Sequence, residues 1–326
     1  MKNVLEIQNL RVAFEAPRGI IRAVEGVSLS VAEGECLALV GESGCGKSVT
    51  SLAAMRLLDE SRAVVRTDRH ILGGEEISGL PEKRMQELRG SKAAMIFQDA
   101  LSALNPVMTV GRQIDEIFLR HTKLSKKEAR ERSISALTAV GIPDAAARYR
   151  SYPHVLSGGM RQRVLIAMAF ACEPELIIAD EPTTALDVTI QAQILELLRR
   201  MREERGTALL LISHDLSVVA SIADRIAVMY SGRIVEQAPA RELLTAPRHP
   251  YTRGLLSAVV RLDDNAERFT QIPGTLPDPA DKPKGCCFAP RCAHAGECCK
   301  ERVPKLTEVS PGHFVRCCLN GGEGLV

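Results

Sequence analysis

The chain has 326 residues, 45% hydrophobic and 25% charged, which excludes a disordered, collagenous or coiled-coil chain and leaves length for a sizeable core. With 42 Lys and Arg against 40 Asp and Glu the net charge is +2, so no global field points to nucleic acid or anionic lipid. Aromatic residues are 3% of the chain, without Trp, which argues against a base-stacking surface. Residues 4–7 and 11–14 read as two short strands of alternating polarity, and 27–31 as a cleaner one. After a turn at Glu33-Gly34, the unbroken apolar run 36–40 has the character of a strand buried on both faces. A Gly-rich stretch follows at 41–46, then helical spacing over 48–58. The basic segment 61–70 lacks the Gly or Pro turn expected there.

From about 105 to 150 the pattern is helical. Residues 110–118 carry apolar side chains at intervals of three and four, and Ser125-Lys126-Lys127-Glu128 is a capping box. The helix it opens carries Ile134, Leu137 and Val140 and stops at Gly141. Strand-like runs at 176–179, 208–212 and 226–229, with a helix over 190–203 between the first two, predict an α/β domain with a largely parallel sheet. From about 237 the chain becomes rich in Pro, Gly and Cys. No run approaches the roughly 18 apolar residues of a membrane span, and the first six residues lack a secretory pattern. The expectation is therefore a cytoplasmic chain.

Gly41-Glu42-Ser43-Gly44-Cys45-Gly46-Lys47-Ser48 fits G-x-x-x-x-G-K-[ST] between an expected strand and an expected helix. Glycines there let backbone N–H groups turn inward as an anion cradle at a helix N-terminus. Lys47 adds a positive charge near the β/γ-phosphates, and the Ser48 hydroxyl is placed to ligate Mg²⁺. Asp180 and Glu181 end the apolar run 176–179. Two adjacent acids there are costly unpaired, so a cation is the simplest partner, with Glu181 as base for an attacking water. Ser157-Gly158-Gly159 opens a second helix and offers another anion-binding N-terminus. One chain rarely needs two phosphate cradles, so the second one suits a nucleotide held by a partner subunit.

In this order the motifs resemble those of the nucleotide-binding subunits of ABC transporters, over residues 4–240. The phosphate loop is followed by Gln98 in Ile96-Phe97-Gln98-Asp99, the signature Leu156-Ser157-Gly158-Gly159-Met160, the acids Asp180-Glu181, Ala185-Leu186-Asp187, and His214. The resemblance implies an α/β P-loop core with an antiparallel β subdomain, a helical subdomain at about 100–155 and a Cys-rich C-terminal extension. It divides the chain into an ATPase domain, 1–240, and an extension, 241–326. It implies that Phe14 stacks on adenine, that Gly41, Ser43, Gly44, Cys45, Gly46, Lys47, Ser48, Val49 and Asp180 contact ATP, and that Ser157, Gly158, Gly159 and Asp187 complete the site. Ser48 and Gln98 would hold Mg²⁺, and Glu181, His214 and Gln98 would carry hydrolysis. The implied partners are a second, homologous ATPase in a heterodimer, two membrane permeases and an extracellular or periplasmic solute-binding protein, with no nucleic acid. The implied location is the cytoplasmic face of the membrane, held peripherally.

The tail narrows this further. Pro247-Arg248-His249-Pro250-Tyr251, Ile272-Pro273-Gly274-Thr275-Leu276-Pro277, the Cys block and Met160 of the signature resemble the dipeptide/oligopeptide importer subfamily, which also includes importers of nickel and glutathione. Seven of the ten cysteines crowd the last stretch, which in a reducing compartment reads as a metal site. The subfamily's iron–sulfur pattern falls on Cys286, Cys292, Cys299 and Cys317, with Cys287, Cys298 and Cys318 as neighbours able to change the register. A [4Fe–4S] cluster or tetrahedral zinc both suit four thiolates, and the absence of a C-x2-C pair favours iron–sulfur. A stretch so rich in Pro and Gly is expected to build little core, leaving the metal to pin it. A non-transport ABC ATPase is disfavoured by the single cassette without heptads. An exporter would lack this tail, and a non-hydrolytic subunit would not need Glu181 and His214.

Overall fold

The computed structural model describes residues 2–17, 19–184, 186–257 and 272–320. The strands, in chain order, are β1 (Asn3–Ala16), β2 (Gly19–Ala32), β3 (Cys36–Val40), β4 (Ala63–Arg66), β5 (Arg69–Leu72), β6 (Glu75–Glu76), β7 (Ala93–Ile96), β8 (Leu176–Asp180), β9 (Ala208–Ser213), β10 (Arg225–Tyr230), β11 (Arg233–Pro239), β12 (Thr307–Ser310) and β13 (His313–Val315). The chain forms two compact units: Met1–Glu6, Ser30–Glu35 and Ile71–Ile212 in the first, and Ile7–Leu29, Cys36–His70 and Ser213–Val326 in the second.

In the first unit β7, β8 and β9 are parallel, with Ala93 opposite Leu176 and Leu176 opposite Ala208. Every residue of β8 and β9 is buried, which is why both read as unbroken apolar runs. The helices are Val110–His121, Lys126–Ala139, Gly158–Phe170 and Val188–Arg205, with shorter ones between. Ser125 and Glu128 form the expected capping box. That helix turns Ser133 inward and leaves Ile134 half-buried, because the Ser133 hydroxyl donates to Asp115 Oδ1 at 2.6 Å. Tyr149 donates to the other oxygen of Asp115, and its ring comes so close to Gly111 that a Cβ there would sit 2.1 Å from it.

In the second unit β3 and β10 are parallel, β11 runs antiparallel to β10, and β13 then β12 extend the same sheet antiparallel. The tail thus covers an edge that would otherwise leave backbone groups unpaired. It also builds core, contrary to the expectation from its composition. Tyr251, Val315, Phe288 and Cys287 are all buried, and Tyr230 and Tyr251 stack edge-on with ring centres 4.6 Å apart. Where two short strands were expected near the N-terminus there is one, β1, because Asn9 takes a left-handed conformation (φ 54°) without ending the strand. Its N–H donates to Ser28 Oγ at 2.9 Å. The segment 61–70 turns without Gly or Pro through side-chain bonds. Thr67 Oγ1 donates to Gln8 O at 2.8 Å, Ser61 N and Oγ donate to Asp59 Oδ1 at 2.9 and 2.7 Å, and buried His70 bonds Ala54 O at 3.1 Å.

Candidate functional site

The phosphate loop lies in the second unit. Fully buried β3 delivers the chain at Gly41, and the helix Lys47–Ala54 leaves from Gly46. A Cβ on Gly41 would lie 2.2 Å from the Met229 carbonyl oxygen, and one on Gly46 would lie 2.7 Å from Ala23 O, so only glycine lets the loop pass. Lys47 is 4% exposed and donates through Nζ to Gly41 O at 2.9 Å and Glu42 O at 3.1 Å, spanning the loop. Ser43 and Gly44 are exposed at its tip, and Ser48 and Val49 are half-buried in the first turn of the helix. Cys45 is buried, and desolvation pushes its thiol up to about 11, so it is a neutral packing group and no nucleophile.

Phe14, on β1 of this unit, lines a cavity of about 650 Å³ together with Val12, Ile20, Val24, Arg233 and Arg316. Arg316 comes from the tail, donates to Ile234 O at 2.9 Å and Pro304 O at 3.0 Å, and has its basicity lowered to about 10 chiefly by desolvation. His214 is exposed just after β9.

In the first unit, β8 ends at buried Asp180, and Glu181 then takes a left-handed backbone, φ 47°. Glu181 N–H donates to Ile212 O at 3.0 Å, which anchors the residue to the end of β9. Its carboxylate Oε2 accepts from Gln98 Nε2 at 3.2 Å and from Thr184 Oγ1 at 2.9 Å. Two residues singled out in sequence thus meet across 83 positions. Thr184 was missed, although a hydroxyl one turn beyond an acid was the available signal.

The same unit brings the signature beside the segment after Glu181. Ser157 caps its helix by accepting from Met160 N–H at 3.4 Å. Gly159 faces Ile190 so closely that a Cβ would lie 2.8 Å from Ile190 Cγ2, and one on Gly158 would meet Leu186 at 3.5 Å. Asp187 accepts from Ile190 N–H at 2.9 Å and caps the helix Val188–Arg205. Ser157, Gly158 and Asp187 are exposed. Ala185 lies outside the described residues.

None of the ten cysteines is in a disulfide. The sulfurs of Cys298, Cys299 and Cys318 lie within 4.8 Å of one another. Of the four cysteines expected to ligate, only Cys299 belongs to this trio. Burial pushes the Cys286 thiol up to about 11 and that of Cys318 to about 12, with neighbouring thiols adding to it. Gly285 approaches the Cys299 carbonyl so closely that a Cβ would lie 2.2 Å from its oxygen, and Cys286 N–H donates to that oxygen at 2.7 Å. Such a concentration of soft, half-buried donors fits a metal or cluster that holds them as thiolates.

Residues 24–184 match the ABC transporter family, and residues 235–299 match the oligopeptide/dipeptide transporter C-terminal region. The chain is 50% identical over 98% of its length, and 95% of the relative's, to the dipeptide transport ATP-binding protein of Bacillus subtilis. A peptide ABC transporter ATP-binding protein of Sinorhizobium fredii is 48% identical over 96% of this chain and 94% of its own. Among solved structures, a dimeric ATP-binding cassette in a post-hydrolysis state with ADP and Pi has a TM-score of 0.64 at 26% identity, covering 73% of this chain and 99% of that one. A component of an ABC transporter complex from Clostridium perfringens has a TM-score of 0.61 at 26% identity, covering 76% and 92%.

Proposed function

The chain belongs to the ABC transporter ATP-binding family, and from that premise we propose that it is the ATP-hydrolysing subunit of a peptide importer. One observation carries the reading most directly: the glycine-built loop between a buried strand and a helix, with Lys47 spanning it. Inward backbone N–H groups and Lys47 bind the phosphates. Ser48 and Gln98, with Asp180, would hold Mg²⁺, which would supply charge neutralisation of the transferred phosphoryl group. Glu181 accepts a proton from the attacking water at its carboxylate, held in place by Gln98 and Thr184. His214 would orient that water, and Phe14 would offer its ring to adenine. Exposed Ser157, Gly158 and Asp187 suit the nucleotide of a partner subunit in a head-to-tail dimer.

The partner on this reading is a second, homologous ATPase, and the pair drives two permeases fed by a solute-binding protein. Among the described residues no helix is long and apolar enough to cross a membrane, which suits peripheral attachment at the cytoplasmic face. Residues 1–240 serve as the ATPase domain, with a helical subdomain at about 100–155 and roughly 98–150 passing motion to the permeases, and 241–326 as the subfamily's extension. The thiols of Cys286, Cys292, Cys299 and Cys317 would hold a [4Fe–4S] cluster with a structural role, and Cys298 and Cys318, gathered with Cys299, are the adjacent donors. Purification of the tagged full chain from membranes tests the importer reading. Two permeases, a second ATPase and a peptide-binding receptor are expected to accompany it, whereas recovery with ribosomes or nucleic acid alone would refute it.

A further inference from the structure

Within the second unit, the C-terminal extension grips the phosphate loop at a residue that the hydrolysis reaction does not use. Arg291, only 6% exposed, approaches Glu42 as a fork, with Nη1 2.8 Å from Oε2 and Nη2 3.0 Å from Oε1. Glu42 is the first residue of the loop after Gly41. The guanidinium is itself fixed: Nε donates to Pro273 O at 2.8 Å, Nη1 also donates to Tyr230 Oη at 3.3 Å, and its carbon lies 5.8 Å from the Tyr230 ring centre. A second arm of the tail reaches the same residue, because buried Tyr251 accepts the Glu42 N–H through its phenol oxygen at 2.9 Å. Tyr251 is wedged between Tyr230 and Phe288, with ring centres 4.6 and 5.4 Å away. Side chain and backbone of Glu42 are thus both held by residues beyond 240.

Two physical consequences follow for an anion cradle. Glu42 puts a negative charge into a loop built to receive phosphates, and unneutralised it would repel them. A bidentate guanidinium cancels that charge with fixed geometry, which Lys could not match. Lys47 also donates to Glu42 O, so the position of Glu42 helps set that of the lysine. A loop already ordered loses less conformational entropy when ligand binds.

We propose that Arg291 is a positioning residue for ATP: it neutralises Glu42 and, with Tyr251, keeps the phosphate loop in its binding form. Nucleotide affinity then depends on the seating of the C-terminal extension. The proposal rests on reading residues 41–48 as the phosphate site, and the test separates the two.

The test measures affinity of the purified full-length chain for a fluorescent ATP analogue, alongside thermal unfolding. Arg291→Gln is expected to weaken binding about tenfold, in line with the loss of one charge-assisted hydrogen bond to the loop. Half-saturation of hydrolysis rises equally, while the rate at saturation changes less than about twofold. Adding Glu42→Gln to Arg291→Gln removes the uncompensated charge and is expected to restore most of the lost affinity, which a merely structural role would not predict. Arg291→Lys, the milder change should the glutamine variant fail to fold, is expected to weaken binding about threefold by losing the fork. Lys47→Ala is the control, and if it binds the analogue normally, the phosphate-site reading itself falls. If Lys47→Ala abolishes binding while folded Arg291 variants bind within twofold of the parent, the proposal is overturned. It is overturned equally if the double variant binds as weakly as Arg291→Gln.

Discussion

Glu181→Gln is the substitution that separates chemistry from binding. The change is isosteric, and the acid's oxygen accepts bonds from Gln98 at 3.2 Å and Thr184 at 2.9 Å. A glutamine that turns its amide oxygen to these donors keeps both bonds, so folding stability should move by less than about 1 kcal/mol. The left-handed backbone at φ 47° is unaffected, because both residues carry the same Cβ. What disappears is proton acceptance. General-base catalysis contributes about 10²- to 10⁴-fold, or about 3–5 kcal/mol of barrier at 1.36 kcal/mol per tenfold. Single-turnover phosphate release with MgATP measures this loss directly, and equilibrium titration measures affinity separately. The expected result is retained ATP binding, release slowed at least about hundredfold, and an ATP-dependent dimer that persists in gel filtration. Release within about threefold of the parent rate, with ATP bound, would refute the assignment of Glu181 as base. Glu181→Ala should behave worse, because Gln98 and Thr184 then lose their common acceptor, which costs roughly 1–2 kcal/mol more in local stability.

Replacing Cys286, Cys292, Cys299 or Cys317 singly with Ser is expected to lower bound iron and sulfide and bleach the visible absorbance of anaerobically purified protein. Cys287→Ser should retain them, and a parent chain with neither iron nor colour after reconstitution would refute the cluster. Stability should also depend on pH through His249, which is 1% exposed and accepts the Tyr251 N–H at Nδ1, 3.0 Å away. Burial lowers its pKa from 6.5 to about 3. As pH falls from 6.5 towards 3, the unfolded chain takes up a proton that the folded chain refuses, so stability declines at up to about 1.4 kcal/mol per pH unit. Urea unfolding at pH 6.5 and 5 is expected to show a loss of about 1.6 kcal/mol from this site. An identical slope in His249→Phe would contradict the attribution.

Much of the phosphate loop and its flanking elements was legible in the residues themselves because their determinants are local. The run 36–40 is buried throughout as β3, since a parallel strand covered on both faces leaves no room for polar alternation. The glycines of the phosphate loop declare their geometry because only glycine tolerates atoms as close as those around Gly41 and Gly46. The Ser125 and Glu128 capping box lies within one helical turn and was readable for the same reason. Ser61–His70 was opaque because its turn is made by side-chain bonds to Gln8 and Ala54, partners from elsewhere in the chain.

The tertiary structure decided what lies beyond the reach of local pattern. Gln98 meets Glu181 across 83 positions, Arg291 meets Glu42 across 249, and β13 of the tail pairs with β11. It also gathers Cys298, Cys299 and Cys318 more tightly than the spacing of the cysteines indicates. Periodicity, caps and glycine positions record constraints that act within a few residues, so a single sequence displays them. A contact between distant residues depends on how elements pack, and neither partner's immediate neighbours carry a mark of it.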